Sequence, residues 1–215
     1  MALLVPFAAF LLTAALQAVG QEPARAPADF LSIDCGLEAN YSSYKNPNTG
    51  IVYVSDEPYV DSGENHRIAA DQESRWGDTD VLTLRSFPSG VRNCYTLPTR
   101  KGSKYLVRLS IVYGNYDGKD SPSALMFDLH LGAYFWTTVD VLSNHVYEAM
   151  FMAWASWAPV GLINTGSGTQ FVSRVELRPL GDELYPAVMA NQSMSTCVRW
   201  SLGEAEKYPD DSYDR

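Results

Sequence analysis

Hydrophobic and polar residues alternate with a period of two along most of this chain. The clearest run is Tyr105 to Tyr113: Tyr105, Val107, Leu109, Ile111 and Tyr113 point one way, Arg108 and Ser110 the other. Successive side chains of a strand leave opposite faces, so the run predicts a strand with one buried face. Phe127, Leu129 and Leu131 alternate in the same way with Met126, Asp128 and His130. Short strands are also predicted over 30–34, 51–54, 81–87, 91–97, 134–142, 146–154 and 157–163. Pro88-Ser-Gly90 joins two of them as a hairpin. The turn cluster Asn164-Thr-Gly-Ser-Gly168 leads into a last strand ended by Pro179. There Phe171, Ser173, Val175 and Leu177 share one side, and Val172, Arg174, Glu176 and Arg178 the other. No stripe at i, i+3, i+4, i+7 lasts three turns. Many short strands between Gly, Pro and Asn turns predict an all-β sandwich or jelly roll with few short helices.

The first twenty residues change the compartment. They carry no charged side chain, Ala2 to Leu16 is apolar, and Ala18 and Gly20 have the spacing a signal peptidase accepts. A signal peptide over 1–20, cleaved before Gln21, is predicted. The rival is a retained anchor, for which the Ala-rich core is short against a bilayer span of about 20 residues. Residues 21–29 form a Pro- and Ala-rich leader. The remainder, about 195 residues, suffices for one domain of ordinary size. Its 46% hydrophobic content supports a core and excludes wholesale disorder.

Net charge is −9 and there is no basic block, which argues against nucleic acid as a partner. In an oxidising compartment the three cysteines, Cys35, Cys94 and Cys197, favour one disulfide between two of them, with the pair left open. Asn40-Tyr-Ser42 and Asn191-Gln-Ser193 are N-glycan acceptors, consistent with secretion.

Several segments together resemble the malectin-like domain of plant leucine-rich-repeat receptor-like kinases. They are Phe30-Leu-Ser-Ile-Asp-Cys-Gly36, Arg85 to Leu97, Tyr113-Gly-Asn-Tyr-Asp-Gly118, Phe127 to Gly132, Trp136-Thr-Thr-Val139 and Asn164 to Gly168, closed by Phe171 to Leu180. The resemblance implies a malectin-type β-sandwich over 30–182. It makes 183–215 a linker and the truncated start of a second such unit. Kinase motifs are absent from the sequence, so no kinase activity carries over, and no catalytic residue, cofactor or metal is expected. The family usually has a Cys shortly before the Asn-Thr-Gly turn; Gly161 occupies that neighbourhood here. Met150 to Trp157 is also more apolar than the family's usual stretch.

Animal malectin resembles a lectin that holds a glucose disaccharide on aromatic loop residues. The matching place is Tyr113, Asn115, Tyr116 and Asp117, an aromatic loop beside a carboxylate. The plainer reading puts Tyr113 in the core and leaves Asn115 and Asp117 to shape the turn. Expected partners are a cell-wall or other glycan ligand, a peptide or protein ligand, or receptor-like kinase ectodomains. Asp71, Glu73, Asp78 and Asp80 read as a solvated loop rather than a glycosidase pair. His66, His130 and His145 are isolated, and Arg85, Arg92 and Arg174 read as outward-facing charges. Trp136, Trp154 and Trp157 read as packing residues.

Overall fold

The computed structural model describes residues 30–38, 43–76, 81–120, 122, 125–142 and 145–196. The predicted signal peptide, the leader, Asn40, Asp78, Asp80, Cys197 and the stretch 197–215 lie outside the described residues.

The chain begins with β1 (Leu31–Asp34), β2 (Ser43–Lys45) and β3 (Val52–Ser55), then a 3-10 turn (Glu57–Tyr59) and β4 (Glu64–Arg67). One helical turn, α1 (Glu73–Trp76), precedes β5 (Thr83–Phe87), β6 (Arg92–Pro98) and β7 (Lys104–Ser110). Next come β8 (Met126–Leu131), β9 (Tyr134–Asp140), β10 (Val146–Met152) and β11 (Trp157–Ser167). The last are β12 (Gln170–Val172), β13 (Arg174–Leu180) and β14 (Met194–Thr196). A seven-stranded sheet runs in the order β14-β10-β7-β13-β1-β3-β2. The other strands form a four-stranded sheet, β6-β11-β8-β9, and a three-stranded one, β12-β5-β4.

Alternation sends one set of side chains from each sheet into a shared core. Val107 and Leu109 of β7, Val175 of β13 and Ile33 of β1 join Tyr95, Leu97, Leu129 and Val160 in one cluster. All eight are fully buried. At about 1.5–3 kcal/mol per buried large apolar side chain, this cluster outweighs the exposed ion pairs, each worth about 0–1 kcal/mol. Gly36 closes β1 at φ +77, where a Cβ would stand 2.1 Å from the Leu84 carbonyl oxygen. Only glycine admits that approach.

The expected strand over Phe171 to Leu180 is two strands. β12 pairs with β5 and β13 with β7, so the chain changes sheets at Ser173. Ser173 is fully buried there, and its hydroxyl accepts from the Val112 amide at 3.1 Å.

The expected outward charges need correction. Glu176 and Arg178 are buried, because the second face of the seven-stranded sheet is covered. Val188 packs there on Leu106, Met150 and Leu180, with Tyr185 beside it. Buried charge is tolerated when paired and hydrogen-bonded. Arg108 bridges Glu148 at 2.6 Å and Glu176 at 3.3 Å, and Arg178 meets Glu176 at 2.5 Å and Ser32 Oγ at 2.9 Å. Arg85 is also buried, clamping Asp56 through Nε at 2.6 Å and Nη2 at 2.8 Å. Arg92, by contrast, is exposed and donates to the Gly132 carbonyl. Met194–Thr196, expected in a linker, is an edge strand on β10.

Cys35 and Cys94 are free thiols, so no disulfide joins this pair. Strand alternation is the reason. Cys35 is fully buried on the side of Tyr95 and Asp56, which act on its thiol. Cys94 precedes Tyr95 on β6 and therefore leaves by the opposite face.

Candidate functional site

Strand β7 ends at Ser110, and the chain beyond it carries Tyr113 to the head of the loop. Gly114 fixes that loop. Its φ is +47, and a Cβ would lie 2.4 Å from Ile68 Cγ2. The Gly114 carbonyl accepts from the Ala69 amide at 2.8 Å, tying the loop to the segment leading into α1. Trp76, Tyr113 and Asn115 thereby line one cleft.

The result is a cleft of about 320 Å3. Trp76, Tyr113 and His145 supply its rings; Gln72, Arg75 and Asn115 supply polar groups. Asp120 adds a carboxylate and Val141 and Leu142 an apolar side. Trp76 and His145 meet edge to face, with centroids 4.8 Å apart at 89°. The Arg75 guanidinium lies 5.5 Å from the Trp76 ring centre. Trp76 Nε1 and His145 Nδ1 are buried and make no hydrogen bond to protein.

Of the predicted residues, the structure brings Tyr113 and Asn115 to this cleft. Tyr113 does two jobs: it is buried against Phe171 at 6.2 Å and lines the cleft, so the core and ligand readings are compatible. Asn115, at φ 50, faces the cleft while its Oδ1 accepts from the Asp120 amide at 3.0 Å. Tyr116, expected among the ligand-binding residues, is not in the lining of this cleft; it is half-buried on Phe171 at 5.3 Å and His66 at 5.1 Å. Burial, then the charge of Asp117, pushes its phenol well up. Asp117 likewise supports the loop. It accepts from the Tyr113 hydroxyl and pairs with Lys119 Nζ at 3.2 Å. Partial burial raises its carboxyl, but hydrogen bonds from Tyr113 and Lys119 outweigh this and hold it below the ordinary value.

Gln72, Arg75, Trp76 and His145 were not legible as site residues. A lone Trp in a polar stretch, in Glu73-Ser-Arg-Trp76, was the available signal. Glu73 of the suspected carboxylate group is committed to Arg67 at 2.8 Å, which holds its carboxyl below the usual range. Among the described residues, no group of three or more His, Cys, Asp or Glu side chains could hold a metal ion. Trp154 and Trp157, expected as packing residues, are 42% and 49% exposed.

The family profile of the malectin-like domain matches residues 33–215. A probable LRR receptor-like serine/threonine-protein kinase of Arabidopsis thaliana is 40% identical over 223 residues, covering 99% of this chain and 24% of its own length. Another from the same organism, MEE39, is 38% identical over 193 residues, covering 86% of this chain and 21% of its own. The chain thus spans under a quarter of the length of these relatives. In fold, it is similar to the crystal structure of the plant receptor-like kinase FER, with TM-score 0.61, 16% identity, and coverage of 78% of this chain and 47% of that one. The ANX1 ectodomain of Arabidopsis thaliana gives TM-score 0.60 and 16% identity, over 77% and 46%. A further structure, of the plant peptide RALF23 in complex with FER and LLG2, matches with TM-score 0.57 and 13% identity, over 79% and 47%. The fold shared with these neighbours is the malectin-like one that the family profile describes.

Proposed function

Since this chain belongs to the malectin-like domain family, we propose that it recognises a carbohydrate outside the plasma membrane, in the Trp76–Tyr113 cleft. One observation carries the reading: the rings of Trp76, Tyr113 and His145 and the amides of Gln72 and Asn115 converge on one cleft. The apolar C–H faces of a sugar stack on rings, while its hydroxyls both donate and accept. Gln72 and Asn115 amides and the Asp120 carboxylate suit such hydroxyls. A cleft of about 320 Å3 has room for one or two sugar rings. Extracellular placement follows from the signal peptide expected over 1–20, the acceptors Asn40 and Asn191, and the relatives' receptor-like kinase character. Asn191 is exposed in a turn. No helix of the described residues is long and apolar enough to cross a membrane.

A glycan array probed with the purified chain tests this. Saturable binding to glucans or other wall glycans is expected, lost in Trp76→Phe and Asn115→Ala, with folding checked by circular dichroism. A silent array, or binding indifferent to both substitutions, overturns it.

A second reading makes the domain a peptide or co-receptor partner without sugar, a decoy that pairs with receptor-like kinase ectodomains. The solved complex of FER with a peptide and LLG2 favours it by fold. Co-purification with a receptor ectodomain alongside a silent array is its signature.

A further inference from the structure

Four large rings stand exposed at one end of the sandwich: Tyr134 at 78% and Phe135 at 60%, with Trp154 and Trp157. Three connections bring them together. Leu131 pairs with Tyr134 across the two-residue turn Gly132-Ala133, which sets Tyr134 and Phe135 at a hairpin tip. The Trp154 indole lies on that tip, since a Cβ on Gly132 would stand 3.0 Å from its Cη2 and Cζ2. The β6-β7 loop is tied to the β10-β11 loop. The Thr99 amide donates to the Ser156 carbonyl at 3.0 Å, and the Gly102 amide to the Ala153 carbonyl at 2.7 Å. Trp157 pairs with Pro98 at the foot of the β6-β7 loop, whose tip carries Arg100 and Lys101, both exposed. This end lies opposite the aromatic cleft. β7 starts at Lys104 beside that loop and ends at Ser110 before Tyr113; β10 starts after His145 and ends before Ala153. At about 3.3 Å per residue, the two ends are about 20 Å apart.

The charge of this end runs against that of the chain. Of 25 Asp and Glu residues, none falls within 91–104, 129–137 or 152–160. Lys104 is buried on the Asp182 and Leu184 carbonyls, so Arg100 and Lys101 present the outward charge. Asp182 and Glu183, exposed after Leu180, belong to the seven-stranded layer, whereas Tyr134, Phe135 and Trp157 belong to the four-stranded one. Rings with an apolar face and a polar tip, flanked by Lys and Arg, suit the headgroup region of a bilayer with anionic lipid. A second copy suits the patch less, because a symmetric contact sets Arg100 and Lys101 against their own counterparts. A sugar polymer would call for rings in a row down one sheet face; these stand on a hairpin tip, a loop and a strand end. We propose that this end of the sandwich docks on an anionic phospholipid bilayer and turns the Trp76–Tyr113 cleft away from it. The docking is independent of what that cleft binds.

The test is flotation of the purified chain with vesicles of phosphatidylcholine holding about one-third phosphatidylserine, and of phosphatidylcholine alone. The chain is expected to float with the first, less with the second, and less as salt is raised. Brominated acyl chains should quench its tryptophan fluorescence, since Trp154 and Trp157 would reach the acyl boundary. Tyr134→Ser combined with Phe135→Ser, at exposed positions and with unchanged circular dichroism, should weaken flotation by about tenfold or more. Arg100→Glu combined with Lys101→Glu should abolish the preference for the anionic vesicle. Glycan-array binding should be unaltered in both double variants, so the two sites succeed or fail separately. No flotation at low salt, no quenching, or flotation indifferent to the ring substitutions each overturn the proposal. Self-association lost in the ring variant, without flotation of the wild type, also overturns it and assigns the patch to a second copy.

Discussion

Gly161 on β11 lies directly opposite Cys94 on β6, and a Cβ placed on it would stand 3.3 Å from the Cys94 sulfur. That is close to the Cβ-to-sulfur spacing across a disulfide, about 3 Å, from two cross-strand residues whose Cβ atoms share one face. The Cys that the family resemblance implies near this turn would therefore have met Cys94.

Gly161→Cys is accordingly expected to form a bond with Cys94 on mild oxidation. Thiol titration should count two fewer free sulfhydryls than in the reduced variant. Unfolding in denaturant should show a gain of about 2–4 kcal/mol for oxidised over reduced protein. Failure to oxidise would mean the β6-β11 register differs.

The Arg85–Asp56 clamp predicts a large loss when broken on one side. Asp56 is fully buried and also accepts from the Tyr95 hydroxyl at 2.9 Å. Arg85→Ala leaves that carboxylate buried without its cation, and about 3–5 kcal/mol of stability should go. Urea unfolding of the single variant, and of a double variant with Asp56→Asn, measures it. The double should lose less than the two singles summed, because one interaction cannot be lost twice.

Gly114→Ala should lower the melting temperature and open the aromatic cleft together. The left-handed backbone costs an L residue about 1–2 kcal/mol, and the new methyl must displace Ile68. Reduced quenching of Trp76 fluorescence by a bound glycan, at matched circular dichroism, separates the local effect from global unfolding.

Asp117 gives a pH dependence of known sign. Its folded carboxyl lies below the ordinary value of about 3.9. The ionised form is thus favoured in the fold, and its contribution is present above that value and fades as pH falls through the lower folded one. Wild type and Asp117→Asn should differ in stability near neutrality and converge in the acid range. Thermal melts across the acid range measure the gap.

The period-two pattern revealed strands with one buried face, such as β8, because that face imposes strict alternation. It failed where both faces are covered. Glu176 and Arg178 read as solvent-facing, yet pair with Arg108 and Ser32 beneath Val188 and Tyr185, and nothing local marks that cover. The polar strand β4, from Glu64 to Arg67, was likewise hidden, since its pairing with β5 rather than its composition makes it a strand. At the site, Tyr113 and Asn115 were legible from a turn sequence at a strand end. Trp76 and His145 were not, being distant in sequence from that loop.

By itself the sequence determined the class: alternation and turn residues are local properties, and they dictate short strands with an inner and an outer side. It also determined family membership, through ordered motifs from Phe30 to Leu180. The tertiary structure decided which charges could be buried, that Ser173 passes the chain from one sheet to another, and that Tyr116 packs on Phe171 while Trp76 joins Tyr113 in lining one cleft. Those outcomes depend on contacts between residues far apart in the chain. Spatial neighbours set the cost of burying a charge and the partners a nitrogen can find, and no local pattern encodes them.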